Sequence, residues 1–480
     1  MVPAGTGGAI IGPMPRPSRR IHTCVLLALL AQVLLCGQGA PVEGAWEGVL
    51  QAPGGGRLRL RVHVEKTAAG GWKAALDSPD QGAFGIAADT ASFEGGVLRW
   101  TIEKLRASFE GRLNAEGTAI EGTFTQGVAM ELALKRMPAA AAKAPGRPQM
   151  PKGPFPYRAE EVTFSSTDSR VTLAGTLTFP AGAGPHPAVI LISGSGPQDR
   201  DETIMGHKPF LVLADWLTRR GVAVLRYDDR GTAKSTGAFA EATSVDFSND
   251  AVGALDYLKG RKEIDGKRIG FLGHSEGGLV APMVAVRRPE VAFVVLLAGT
   301  AVPGSAVMLA QGEAIGKAAG APEAALAQNR RLQETLFEAV RTTPDPEELR
   351  KKVEEALSMM PEAQRAAQVK QITGPWMRFF ITYDPAVILR RLKAPVLALF
   401  GELDLQVLPE QNAPVLEAAL RAAGNEQVEI HRLAGLNHLF QPAKTGTPQE
   451  YATIEQTMDE RALELIAGWL RRTAGLEQAP

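Results

Sequence analysis

The stretch KRIGFLGHSEGGLVAPM, residues 267–283, places a serine between glycines at the junction of two apolar runs. The first run, residues 269–272, is short and predicts a buried strand, and Gly278 begins a run that predicts a helix. Strand, Gly-His-Ser-Glu-Gly and helix together are typical of a sharp turn that exposes the serine as a nucleophile. Small residues are needed on both sides of Ser275 because the strand and the helix approach each other closely.

A serine hydroxyl needs a histidine base at neutral pH. With the base following the nucleophile in the chain, His431 and His438 remain as candidates. His431 lies in a strand pattern, VEIHRL, whereas His438 lies in a loop, AGLNHLF, so we predict His438 as the base. The strand and turn APVLALFGELDLQV lie between Ser275 and His438 and offer Glu402 and Asp404. Asp404, deeper in the turn, is the predicted acid that orients the imidazole.

An oxyanion needs two backbone donors, and the sequence supplies a candidate for each. The amide of Glu276 begins the helix after the serine. Gly194-Ser195-Gly196 follows the apolar run AVILI and lets the backbone approach a substrate oxygen, so the Ser195 amide is the second predicted donor. A plain glycine-rich turn is the alternative interpretation of this segment.

Apolar runs alternate with amphipathic patterns in the second half of the chain. This alternation predicts an α/β fold, a mostly parallel sheet with helices on both faces. Residues 302–384 depart from it, because they are rich in Ala, Glu, Gln and Arg at helical spacing. They predict a helical cap insertion that acts either as a lid or as a purely structural subdomain.

The first half of the chain predicts a separate β-domain, residues 41–137. The segment GRLRLRVHVEK alternates apolar and polar residues, and several similar short runs follow it with turn residues between them. Closely spaced strands of this kind favour a small barrel-like all-β domain. An Ala/Pro-rich linker, residues 138–156, separates it from the predicted catalytic domain, residues 157–475.

Five motifs in the second domain occur in a known order: GSGPQDRD, YDDRGTAKSTG, GHSEGG, GELD and LNH. With them, residues 157 to about 473 resemble the α/β-hydrolase superfamily, and specifically bacterial serine esterases related to the dienelactone-hydrolase and prolyl-oligopeptidase groups. The resemblance implies ester or peptide hydrolysis through an acyl-enzyme, without a cofactor or metal. The first domain resembles the lipocalin-like β-domains that precede some bacterial hydrolases. In YDDRGTAKSTG, Asp228, Asp229 and Arg230 are expected to fix loops by ion pairs.

The amino terminus predicts export. An apolar run, residues 24–35, follows three arginines and precedes the small residues GQG, as in a secretory signal peptide, residues 1–40. We therefore expect a periplasmic or secreted protein. Both cysteines of the chain lie in this segment, which excludes a disulfide, a thiolate metal site or a cysteine nucleophile in the mature protein. Cys36 leaves a lipoprotein as the alternative, and membrane anchoring is expected only if Cys36 is lipidated.

Lys+Arg and Asp+Glu balance at 52 each among 480 residues, which gives no electrostatic case for a nucleic-acid partner. The predicted activity is hydrolysis of a small-molecule carboxylic ester by Ser275, His438 and Asp404. One alternative is a peptidase of the prolyl-oligopeptidase type, although the internal repeats of a β-propeller are missing from this sequence. Another is a non-catalytic binding protein on a hydrolase fold. The sequence does not indicate an oligomeric state.

Overall fold

The computed structural model describes residues 42–51, 57–79, 83–138 and 146–476. They fall into two compact units, made essentially of residues up to 143 and of residues from 144 onward. The predicted signal peptide, with Cys24 and Cys36, lies outside the described residues, as does part of the predicted linker. Within the described ranges, none of the helices combines the length and apolarity needed to cross a bilayer.

The first unit is a single antiparallel sheet in the order β4-β3-β2-β1-β9-β8-β7-β6-β5. Its described strands are β1 (Gly44–Gln51), β2 (Arg57–Lys66), β3 (Trp72–Ser78), β4 (Ala83–Ala87), β5 (Thr90–Glu94), β6 (Val97–Ile102), β7 (Ala107–Leu113), β8 (Ala119–Gln126) and β9 (Val128–Arg136). Trp72 on β3 and Phe93 on β5 lie near opposite ends of this strand order, yet their rings are only 5.7 Å apart. The sheet is therefore strongly curved. The barrel-like prediction is confirmed.

Alternation along β2 explains how this sheet buries one face. Leu60, Val62 and Val64 are at most 2 % exposed, and they join one apolar cluster with Trp46 and Trp100. The intervening side chains face outward, as the period of two requires.

The second unit contains a sheet in the order β10-β11-β13-β12-β14-β15-β16-β17. Its described strands are β10 (Arg158–Ser165), β11 (Thr172–Phe179), β12 (His186–Ile192), β13 (Ala223–Tyr227), β14 (Ile264–His274), β15 (Val294–Leu297), β16 (Val396–Gly401) and β17 (Val428–Leu433). Strands β10 and β11 form an antiparallel hairpin, and β12 to β17 pair in parallel. Strands β15 and β16 are buried along their whole length, as expected for strands covered on both faces.

Helices connect these strands, and the α/β-hydrolase prediction is confirmed. They are α1 (Pro209–Thr218), α2 (Ser244–Lys259), α3 (Gly277–Arg287), α4 (Gly304–Ala318), α5 (Glu323–Thr342), α6 (Pro346–Ala356), α7 (Glu362–Thr373), α8 (Pro375–Thr382), α9 (Pro385–Leu389), α10 (Pro409–Ala422) and α11 (Glu460–Thr473). Helices α4 to α8 form the predicted insertion between β15 and β16. The insertion has an apolar core of its own, which includes Phe337, Leu349 and Met377.

The described part of the predicted linker is bound to the second unit. Arg147 donates hydrogen bonds to the carbonyl oxygens of Met205 and Ala452, both at 3.0 Å. Gln149 accepts from the amides of Thr457 and Met458 at 2.8 and 2.9 Å. From residue 146 onward, therefore, the chain already belongs to this unit.

Candidate active site

Ser275 lies where β14 turns directly into α3. Its φ of +53° is in the left-handed region that residues with a Cβ rarely adopt. The turn is tight on both sides of the serine. A Cβ on Gly273 would lie 2.0 Å from the carbonyl oxygen of Gly277, and a Cβ on Gly277 would lie 2.1 Å from that of Ile192. Only glycine fits these two positions, which explains the glycines on both sides of the strained serine.

Asp404 and His438 lie in the loops that follow β16 and β17, the last two strands of the sheet. His438 Nδ1 is 2.8 Å from Asp404 Oδ2, and both side chains are buried. Asp404 Oδ1 accepts hydrogen bonds from the amides of Gln406 at 2.8 Å and Val407 at 2.9 Å. A carboxylate anchored in this way fixes the orientation of the imidazole and leaves Nε2 as its other functional nitrogen.

His274, the residue before Ser275, joins this turn to the loop of His438. Its Nε2 donates to the carbonyl oxygen of His438 at 3.0 Å, and its Nδ1 is 2.8 Å from Glu202 Oε1. The centroids of the two imidazole rings are 4.7 Å apart. Burial alone would lower the pKa of His274, but the neighbouring Glu202 carboxylate raises it overall, so the ring can donate through both nitrogens. The peptide that carries Ser275 is thereby held beside the loop of His438.

The loop of residues 193–198 follows β12 and is closed by the half-buried carboxyl group of Asp229. Asp229 Oδ1 accepts from Ser193 Oγ at 2.8 Å, and Asp229 Oδ2 accepts from the Gln198 amide at 2.9 Å. Burial raises the pKa of Asp229 to about 8 despite these hydrogen bonds. Both ends of the loop are thus tied to one carboxyl group, whose raised pKa favours its neutral form.

The backbone amides around the serine differ in whether a protein acceptor already uses them. The Gly194 amide is used internally, because it donates to Glu202 Oε1 at 2.8 Å. Over the ranges that the structure describes, the amides of Ser195 and Glu276 donate to no protein acceptor. These are the two donors predicted from the sequence, and they flank the strand end that carries Ser275.

The Glu276 side chain connects this region to the cap insertion. One carboxyl oxygen, Oε1, accepts from Ser244 Oγ at 2.6 Å and from Trp376 Nε1 at 2.7 Å. Burial raises the pKa of Glu276, although both hydrogen bonds oppose that shift. The sequence predicted a role only for the backbone amide of Glu276. The residues around Glu276 do not predict the contact of its side chain with Trp376, 100 positions later.

The structure also separates the candidates from their alternatives. Glu402 is exposed, and His431 lies on the edge strand β17 with 37 % of its side chain exposed, 3.6 Å from Glu429. In the YDDR motif, Asp228 and Arg230 do form ion pairs, with Arg200 at 2.8 Å and Asp250 at 2.7 Å. Within the described residues Asp229 forms no ion pair, so the expectation for Asp229 is wrong, and its carboxyl group instead accepts the hydrogen bonds of the 193–198 loop.

A metal centre is not indicated by the side chains in the described ranges, since no three His, Cys, Asp or Glu residues there are arranged to hold an ion. The chemistry available to this arrangement is that of a hydroxyl, an imidazole, a carboxylate and two amides. Such a set can run nucleophilic acyl transfer.

Comparison with known proteins places these features in a family. The family model described as serine aminopeptidase, S33, matches residues 208–441. Esterase EstD of Thermotoga maritima is 31% identical over 323 residues, which cover 66% of this chain and 70% of that protein. The uncharacterized protein YfhR of Escherichia coli K12 is 30% identical over 128 residues, 26% of this chain and 41% of that protein.

Solved structures are also similar at low sequence identity. The Pyrococcus furiosus esterase PF2001 shares 18% identity with a TM-score of 0.43, over 69% of this chain and 99% of that one. The α/β hydrolase GrgF from Penicillium sp. sh18 shares 19% identity with a TM-score of 0.43, over 66% of this chain and 99% of that one.

Proposed function

The chain belongs to the bacterial esterases of the α/β-hydrolase family, and on this premise we propose that it hydrolyses small carboxylic esters through an acyl-enzyme on Ser275. The observation that carries the proposal is the buried 2.8 Å hydrogen bond between Asp404 and His438, in a loop bound to the residue before the strained serine. Ester hydrolysis agrees with the family to which the chain belongs. What we propose here is the role of each individual residue.

In the proposed mechanism, His438 Nε2 takes the proton of the Ser275 hydroxyl while the oxygen attacks the ester carbonyl carbon. The amides of Ser195 and Glu276 donate to the oxyanion that forms. The tetrahedral intermediate collapses, the carbon–oxygen bond to the alcohol breaks, and the imidazolium of His438 returns the proton to the departing alkoxide. Water, deprotonated by the same imidazole, then attacks the acyl-enzyme. The bond between the acyl carbon and Ser275 Oγ breaks, and the imidazolium returns the proton to Ser275 as the carboxylic acid leaves.

The nearest alternative is a peptidase, favoured by the family model described as a serine aminopeptidase. Turnover of p-nitrophenyl acetate, butyrate and octanoate, compared with alanine p-nitroanilide, separates the two activities. We expect a much higher kcat/KM for the esters. Anilides hydrolysed faster than all three esters would assign the chain to the peptidases, and no turnover of either class would favour a binding protein.

A serine variant tests the nucleophile. Ser275→Ala is expected to lower kcat for the esters at least about a thousandfold, because the acyl-enzyme can no longer form. Ser358→Ala is the matched control, since Ser358 is an exposed serine in the cap insertion. Equal activity in both variants would contradict the proposed mechanism.

We also propose that the protein is exported, because residues 1–40 have the basic flank, apolar run and small-residue site of a signal peptide. Amino-terminal sequencing of protein recovered from the periplasm or medium is expected to begin shortly after Gly39. Protein that is found in the cytoplasm with residues 1–40 intact would contradict export. Membrane association that Cys36→Ser abolishes would establish the lipoprotein alternative.

A further inference from the structure

A groove is lined by residues of the 193–198 loop, by residues 239–240 and by the cap insertion. Its volume is about 570 Å³, within the range of pockets that take small molecules. Its lining includes Ser195 and Gly196, beside the proposed oxyanion site, and Ala367 and Lys370 of α7. We call this cavity the cap groove.

The walls of the cap groove are apolar and fixed. Trp376 forms part of the wall, and its indole is held by the hydrogen bond to Glu276 and by stacking on Phe380, with centroids 4.9 Å apart. Phe239 also lines the groove, and its ring stacks on Phe247 with centroids 5.2 Å apart. Because both aromatic walls are anchored, the groove presents a preformed apolar surface to one part of the substrate.

The position of the groove indicates which part of an ester it receives. In the proposed mechanism the departing alcohol must lie beside His438, which returns the proton to it. The groove lining includes residues of the 193–198 loop and of the insertion, but none from the loops that carry Asp404 and His438. Because no residue of the His438 loop lines the groove, we assign the groove to the acyl group rather than to the departing alcohol.

One charge lies in this apolar lining, that of Lys370, which is exposed at the α7 end. Within the described residues, no carboxylate forms a salt bridge with Lys370. Its neighbours three and four positions along the helix, Ala366, Ala367, Thr373 and Gly374, carry no charge either. Among the described residues, the groove lining thus combines an apolar surface with one cation, Lys370, that has no carboxylate partner.

We propose that the cap groove binds an acyl chain that ends in an anionic group, with Lys370 as the specificity-determining residue. The preferred substrates are then monoesters of dicarboxylic acids, whose far carboxylate pairs with the Lys370 ammonium. The proposal rests on the function proposed above, because it assigns the acyl side of the same reaction.

The test compares p-nitrophenyl monoesters of adipic, suberic and sebacic acid with p-nitrophenyl hexanoate, octanoate and decanoate. For each chain length, the ratio of kcat/KM for the acidic ester to that for the neutral ester is measured. We expect the wild-type ratio to be highest at one length. Lys370→Met should lower that ratio about two- to fivefold, the range of a partly exposed charge pair. Lys370→Glu should lower the ratio further, because it replaces attraction with repulsion.

Two controls make the outcome specific. Lys351→Met removes an exposed lysine from α6 of the same insertion, away from the groove lining, and should leave every ratio unchanged. Added 0.5 M NaCl should move the wild-type ratio toward that of Lys370→Met, since salt screens exposed charges. Unchanged ratios in Lys370→Met and Lys370→Glu would overturn the proposal, as would an equal loss for acidic and neutral esters. Neutral-ester turnover that survives Ser275→Ala would instead refute the proposed function.

Discussion

Replacing Asp404 with Asn separates the proposed catalytic role of this residue from its structural role. Asp404 Oδ1 accepts from two amides and Oδ2 lies 2.8 Å from His438 Nδ1. In Asp404→Asn, the amide oxygen is needed by those two backbone donors, so the NH₂ group must face His438. Nδ1 then has to accept a hydrogen bond, the ring proton moves to Nε2, and Nε2 can no longer take the proton of Ser275.

The expected loss in kcat is about 10⁴-fold, the size of effect that a wrong imidazole tautomer causes in serine proteases. The free energy of unfolding should change by no more than about 1 kcal/mol, because the two amide hydrogen bonds persist. Asp404→Ala leaves both amides and His438 without a partner, and it should cost about 2–4 kcal/mol of stability in addition to activity. Initial rates with p-nitrophenyl butyrate and urea unfolding measure the two effects separately.

The exposed neighbour Glu402 provides the control, and Glu402→Gln should keep wild-type activity and stability. A folded Asp404→Asn protein with more than about a tenth of wild-type activity would refute the tautomer argument. A large loss in Glu402→Gln, with Asp404→Asn unaffected, would move the acid to the other carboxylate of the turn.

Three further changes test the surroundings of the site. Trp376→Phe removes the N–H that donates to buried Glu276, and it should lower kcat/KM for neutral esters about tenfold. Trp216→Phe is the control and should leave kcat/KM unchanged, because the buried indole N–H that it removes has no partner in the described residues. Asp229→Asn should flatten the pH dependence of the free energy of unfolding. Wild-type Asp229 has a folded pKa of about 8 and an ordinary unfolded pKa near 4, so the stability that it contributes declines as pH rises from about 4 to about 8. The free energies of unfolding in urea at pH 5 and pH 8 should therefore differ less in the variant. Gly277→Ala places a Cβ 2.1 Å from a carbonyl oxygen, and thermal unfolding should show a free energy of unfolding lower by about 1–3 kcal/mol or more. Gly266→Ala is the control. A Cβ there has no atom within 4 Å, and the free energy of unfolding should fall by less than about 0.5 kcal/mol.

The second unit was predictable because its strands are continuous apolar runs. Residues 188–192 and 396–400 read as buried strands from composition alone, and the structure places them in β12 and β16. Short, half-exposed strands gave no such signal. Strand β5, Thr90–Glu94, has no buried residue at all, so its place in the sheet depends on pairing with β6 rather than on its own pattern.

The candidate site was predictable where chain order and loop position carry the information, as they do for His438 and Asp404. Contacts between distant loops were not predictable in this way. Glu202 meets His274 across 72 positions, and Asp229 meets Ser193 across 36. Neither partner is marked by spacing, because each contact exists only after β12, β13 and β14 have come together in the sheet.

Covalent labelling tests the central claim most directly. Incubation with a p-nitrophenyl alkylphosphonate, followed by intact-mass measurement and peptide mapping, identifies the residue that acts as the nucleophile. We predict one phosphonyl group per chain, attached to Ser275, together with complete loss of esterase activity and no labelling of Ser275→Ala. A label on any other residue, or full esterase activity in protein that the phosphonate has labelled at Ser275, would contradict the account.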